Sequence, residues 1–204
     1  MMRIIWKPGY LINLKLRNDL YTIAQLEGNF VVRFFDVFNA HGMWKNINLN
    51  TTPQLFRVFV AKISIQTLAE GRIKDPTVIP STIPMESYWI NPYVAYIDGE
   101  HYKGNKNSFP FLGGSLIRTH SATVMSAFDA DVIKHDLSPE IDKEIIEKYE
   151  LVNMWGPDDL GDRLRRYFDT GINRDDLKFE VFPTLWNDRE SLRPLTRRLP
   201  IPMR

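Results

Sequence analysis

The sequence predicts a mixed α+β fold, an antiparallel, strongly bent (SH3-like) N-terminal sheet with helices in the C-terminal part. Two observations predict it. Residues 10–38 read as three strands separated by turn-forming residues, the first alternating apolar and polar side chains and the third apolar at nearly every position. From Phe128 onward the apolar residues recur at helical spacing instead. The chain of 204 residues is 44% hydrophobic and 25% charged, with 12 Phe, 8 Tyr and 5 Trp. That composition supplies a core without disulfides, and cysteine is absent. We read residues 1–204 as one α+β domain. It is strand-rich over 1–127, helical over 128–170, and closes with a last strand and a basic tail over 171–204.

The elements follow in order. In "YLINLKL", Tyr10, Ile12, Leu14 and Leu16 share one face, and Leu11, Asn13 and Lys15 the other. Arg17-Asn18-Asp19 supplies a turn. "LYTIAQLEG" resumes the alternation, and Gly28-Asn29 signals a two-residue hairpin. "FVVRFFDVF" is apolar at nearly every position, as a strand covered on both sides must be. In "LFRVFVAKISI" the phase shifts between Val60 and Ile63, which predicts a bulge near Ala61-Lys62. A helix starting at Pro53 behind Thr52 competes with that reading. "IQTLAEGRIK" suits a short helix stopped by Gly71, and the proline-rich "DPTVIPSTIPMES" an extended covering loop.

"YVAYIDGEHYKG" predicts a hairpin turning at Asp98-Gly99, with His101 and Tyr102 on the return strand, and "SLIRTHSATV" one more strand. A helix is expected from Pro139, capped by Ser138, with Ile141, Ile145, Ile146 and Tyr149 on its buried face. A second is expected from "GPDDL" to Gly171, with acids in its first turn and Arg165 and Arg166 in its last. "DLKFEVF" alternates like a final strand. The tail beyond Pro183 carries five Arg.

The net charge of +1 conceals a segregation. Residues 128–162 hold 11 Asp and Glu against 3 Lys and Arg. Solvated helical faces often look this way. A docking face for a basic partner does too, because local potential steers association. On that second reading the candidate partner-binding residues are Asp142, Glu144, Glu147, Asp158, Asp159 and Asp162.

No arrangement of catalytic or cofactor-binding residues emerges. His41, His101, His120 and His135 lack metal-helix spacing. Asp98, Glu100 and His101 read as polar decoration of a tight turn. Thr119-His120-Ser121 would point to alternating faces of a strand. Gly113-Gly114 lacks the continuation of a phosphate loop. We therefore expect no enzyme, no cofactor and no metal. The five Trp are spread evenly without an interleaved basic stripe, so no nucleic-acid partner is expected. No apolar run is long enough to span a membrane, and the N-terminus lacks a signal-peptide core, which points to the cytoplasm.

The run "KPGYLINLKLRNDLYTIAQLEG", then "VVRFFDVF" and "LFRVFV", resembles the start of the immunity protein 26 family of bacterial polymorphic toxin systems, which include contact-dependent growth inhibition. The stretch from Ala130 to Phe182 is similar to the helical second half of related chains, while Pro76 to Thr123 carries none of the likeness. The resemblance implies a protein that binds and neutralises a cognate toxin domain, such as a nuclease with a basic cleft. It needs a rigid scaffold and a complementary surface but no catalytic groups. Two other expectations stand beside it. One is an SH3-like binding module for another protein or nucleic acid, and the other an enzyme with its site in 76–123.

Overall fold

The computed structural model describes residues 3–28, 30–84, 86–94, 96–97, 100–101, 111–120 and 129–188. The fold is α+β, with a curled half-barrel sheet at the N-terminus and helices mainly toward the C-terminus, as the sequence predicts. Two compact units divide the chain. One gathers described residues of Met1–Glu86 and Asn153–Asn173, and the other those of Ser87–Ser121, Met125–Val152 and Arg174–Arg204.

The first unit is built on a six-stranded sheet. Its strands are β1 (Leu11–Arg17), β2 (Leu20–Leu26), β3 (Val31–Asn39), β5 (Gln54–Val60), β6 (Ala69–Ile73) and β13 (Met154–Trp155), in the order β13-β5-β3-β2-β1-β6. The apolar "FVVRFFDVF" is accordingly central. Arg17 pairs with Leu20, so Asn18-Asp19 is the expected tight turn. The second connection is longer than the expected two residues. Glu27 N–H donates to Val31 O (2.8 Å), and the left-handed position falls on Phe30 (φ 64°), which packs on Trp6. Asn29 lies outside the described residues. Register shifts between Lys15 and Arg17, between Thr22 and Ala24, and between Phe34 and Phe35 bend the strands. Bulges raise local twist, and here they curl the sheet.

Both faces of this sheet are covered. One face carries Ile12, Leu14, Ala24, Val32, Phe34, Phe56 and Val58. They pack with Ile65 of α1 (Lys62–Leu68) and with Leu160 and Leu164 of α3 (Pro157–Thr170). Burying each Leu contributes about 1.5–3 kcal/mol. The other face carries Leu11, Ile23 and Phe35 under Trp44, Leu49 and Val78. Those covering residues belong to loops pinned by the short parallel pair β4 (Ile47–Asn48) and β7 (Val78–Ile79). Trp44 Nε1–H donates to Asn13 Oδ1 (2.8 Å), so an inward polar group on β1 is satisfied by its own lid.

Several expectations are corrected. The phase shift after Val60 is the end of β5 and the start of α1, not a bulge, and no helix begins at Pro53. Gly71 sits inside β6 and stops nothing. Helix α3 begins at Pro157 and ends at Gly171 (φ 74°), whose N–H reaches Tyr167 O at 2.7 Å, as expected. Arg165 and Arg166, however, lie mid-helix rather than in its last turn.

The second unit contains a three-stranded antiparallel sheet in the order β12-β11-β8, from β8 (Tyr88–Val94), β11 (Phe111–Arg118) and β12 (Asp131–Lys134). Gly114 is required there. An added Cβ would stand 2.8 Å from Asn91 O, where β11 and β8 pair irregularly. Gly114 thus serves the close pairing of the two strands. The expected hairpin is present as β9 (Tyr96–Ile97) against β10 (Glu100–His101). Its Asp98-Gly99 turn, Tyr102, the 121–128 stretch and the basic tail from 189 lie outside the described residues.

Helix α2 (Lys143–Lys148) is shorter than expected. Residues 139–142 form a turn in which Asp142 N–H donates to Ser138 O (2.7 Å) and Ser138 Oγ accepts from Glu140 N–H (3.3 Å). The span read as wholly helical therefore includes β12 and β13. "DLKFEVF" is not a strand but one helical turn, α4 (Lys178–Val181). Asp175 Oδ1 accepts Leu177 N–H (2.9 Å) and folds the chain over before the alternation can extend. Phe179, Val181 and Phe182 are then buried from a helix.

Candidate functional site

The six acids chosen from the sequence are divided between the two units. Asp142, Glu144 and Glu147 belong to the second unit, and Asp158, Asp159 and Asp162 to the first. Each has a distinct setting. Asp142 is only 5% exposed. Its carboxylate accepts hydrogen bonds from Lys134 Nζ and from Ser138 N–H (3.1 Å). The Lys134 bond, aided by the backbone bond and opposed by burial, holds its pKa below the usual carboxylate range. Glu147 accepts a bond from Trp186 Nε1–H (2.7 Å), which ties α2 to the segment after α4. Asp162 is buried in α3 and paired with Arg165 one turn on. These three acids hold structure together. Asp158 and Asp159 occupy the first turn of α3, where the helix dipole favours acids in any protein. Glu144 is exposed in the first turn of α2.

Buried ionic chemistry in the first unit is similarly committed. Gln25, Arg33 and Arg57 form one cross-strand row over β2, β3 and β5. Two neighbouring guanidinium groups would repel, and Glu27 sits between them. Its Oε1 accepts from Arg33 Nε (2.7 Å) and its Oε2 from Arg57 Nε (2.6 Å). Arg33 also donates to Ser81 Oγ (3.1 Å) and Ile83 O (2.9 Å). Gln25 exchanges two 2.8 Å bonds with the Ser81 backbone. The proline-rich covering loop is thus strapped to the sheet by charge-assisted bonds. On α3, the Arg163 guanidinium lies 3.8 Å from the Phe56 ring centroid, a cation–π packing, and donates to Asn173 Oδ1 (2.9 Å).

A different picture emerges around β12 and the turn after it. From Asp129 to Glu150 there are eight acids and three bases. Asp129, Asp136, Glu140, Glu144 and Glu147 are exposed. Exposed apolar side chains stand among them: Val132 (44%), Ile133 (46%) and Ile141 (81%). The sequence assigned Ile141 to the buried face of a helix starting at Pro139, whereas the helix starts four residues later. Only Ile146 of that expected stripe is fully buried.

Asp131 accepts from Arg118 Nη2 (2.9 Å) and has His120 Nε2 at 3.4 Å. The Arg118 bond lowers its pKa. Thr119 is buried while His120 is exposed, so these neighbours do face apart, and Ser121 lies outside the described residues. Among the described residues no group of three or more His, Cys, Asp or Glu could hold a metal, and no helix is long and apolar enough to cross a membrane.

No curated protein and no solved structure matches the chain. One family model does, over residues 1–187, so it takes in both units apart from the basic tail. The chain belongs to the family described as a domain of unknown function, DUF8309.

Proposed function

We propose that this protein is an immunity protein of the immunity protein 26 type, which binds a cognate bacterial toxin domain, a nuclease, and blocks it. The observation that carries this reading is the acidic segment from Asp129 to Glu144 in the second unit, which exposes both carboxylates and aliphatic side chains. A nuclease cleft is basic because it must hold phosphates. An acidic inhibitor is drawn to such a cleft and docks faster for it. The resemblance to that family, over about the first seventy residues and some fifty near the C-terminus, supports the same reading. So does the commitment of the buried ions in the first unit to strapping loops onto the sheet, which suits a rigid scaffold. Its partner is the toxin domain, with no cofactor and no catalysis of its own, and it acts in the cytoplasm, where such a toxin arrives.

The test is rescue of growth. The full chain is co-expressed with the C-terminal domain of the polymorphic toxin encoded directly upstream of its gene. Restored growth, together with a stable complex of the two purified proteins, is the expected result. Continued killing at equal expression, or no toxin gene at that position, would overturn the proposal.

A further inference from the structure

We infer that Val132, Ile133 and Ile141, with the exposed Asp136, Glu140 and Glu144 of the same segment, are the surface on which a basic protein partner docks, by side-chain anchoring rather than by strand addition. This rests on the immunity reading and names the surface and the chemistry of the partner. Four observations carry it.

The first is concentration. Among the described residues of the second unit the exposed large hydrophobics are Leu112, Val132, Ile133 and Ile141, and three of these lie between positions 132 and 141. In the first unit they are scattered over separate segments, at Ile5, Phe30, Met43, Ile63, Ile79, Ile83, Met154 and Phe168. Exposed apolar side chains close together along the chain, interspersed with exposed acids, have the composition of an interface with apolar anchors and a polar rim.

The second is the shape of the strand. β12 is an edge of its sheet, and its register against β11 slips, with Ile117 opposite Val132 but Leu116 opposite Lys134. Ile133 is the extra residue of a bulge. A bulge interrupts the ladder that an incoming strand would extend, which is how native edges resist pairing. The same bulge leaves two adjacent aliphatic side chains, Val132 and Ile133, both exposed.

The third is rigidity. The Lys134–Asp142 ion pair ties the end of β12 to the turn that carries Ile141, and Asp142 also fixes Ser138 N–H. Anchors already held in place lose little freedom on binding.

The fourth is charge complementarity. With eight acids and three bases from Asp129 to Glu150, this region repels phosphates and anionic lipid and attracts a cationic protein face. The occupant is therefore a protein with a basic docking face, such as a nuclease cleft.

The experiment measures association and dissociation of the full chain with a catalytically dead form of the toxin domain encoded upstream, at low and high salt. Ile141→Asp is expected to weaken binding by at least about 30-fold, the scale of an interface hot spot. Glu140→Lys with Glu144→Lys is expected to slow association by about tenfold and to flatten its salt dependence. Ile63→Asp, an exposed position of α1, should bind like the wild type. Unchanged melting temperatures establish that each variant is folded, and Val132→Ser replaces Ile141→Asp if the latter is not. Wild-type binding that none of these substitutions alters would overturn this surface while leaving the immunity reading intact. If the wild-type chain itself fails to bind, the immunity reading falls and the surface with it.

Discussion

In the unit built on the six-stranded sheet, Glu27 accepts bonds from both Arg33 and Arg57, and Arg33 and Gln25 hold the loop at Ser81. Ionic groups that enter that core are used to fix chain segments that have little regular structure of their own. In the unit built on β8, β11 and β12, Asp142 does similar work, but Asp129, Asp136, Glu140 and Glu144 are exposed on the segment that also exposes Val132, Ile133 and Ile141. The contrast separates charge that fixes chain segments from charge that stays exposed. It also shows that a count of acids along the sequence mixes engaged and exposed groups. Asp142, Glu147 and Asp162 look like Glu144 in one-letter code, yet each is engaged by a specific donor within its own unit.

The largest effect is expected at the scaffold. Glu27→Ala leaves the Arg33–Arg57 row without its carboxylate, and removing one partner of a largely buried pair costs about 3 kcal/mol or more. Denaturant unfolding measures this, and a loss below about 1 kcal/mol would show that the row is better hydrated than its burial indicates. Next comes Gly114→Ala. The added methyl meets Asn91 O, so β8 and β11 must separate, at a cost of about 1–3 kcal/mol. A melting temperature equal to that of the wild type would contradict the close approach of the two strands.

Asp142→Asn is expected to cost about 1–2 kcal/mol at neutral pH, the worth of a charge-assisted bond. Its pH dependence is specific. The folded-state pKa of Asp142 lies below its unfolded value, so the unfolded chain binds more protons between the two. The contribution is full above the unfolded value, near pH 4, and is lost as pH falls through the lower folded value. Asp131 and Asp188 shift in the same direction, through Arg118 and Arg174. Asp142→Asn should therefore flatten the acid limb of the stability profile without abolishing it. An acid limb identical to that of the wild type would place the sensitivity elsewhere. The smallest effect on stability is expected at Ile141→Asp, within about 0.5 kcal/mol, because the side chain is 81% exposed.

The bent sheet was legible because its first strand alternates with a period of two, its central strand is apolar at nearly every position, and its first turn is marked by Asn18-Asp19. The start and stop of α3 were legible from Pro157 and Gly171. What misled the reading was local. Leu177, Phe179 and Val181 alternate like a strand, but Asp175 turns the backbone first. Ser138-Pro139 is sound capping chemistry, yet it opens a turn because the Asp142 carboxylate is drawn back to Lys134 and Ser138 N–H. That displacement carries Ile141 from an expected core position to the surface. A signal was present at Arg33, a lone cation in a central apolar strand, which calls for a buried acid nearby. Glu27, at the end of the preceding hairpin arm, was in reach of it.

The central claim is that the acidic, aliphatic surface between Asp129 and Glu144 meets the partner while the sheet unit serves as scaffold. Amide hydrogen exchange of the full chain, alone and with the toxin domain encoded upstream, tests it most directly. The account predicts added protection on complex formation over residues 131–144 and little change over β1 to β3. Protection confined to the strands and loops of the first unit, with 131–144 exchanging as in the unbound chain, would contradict it.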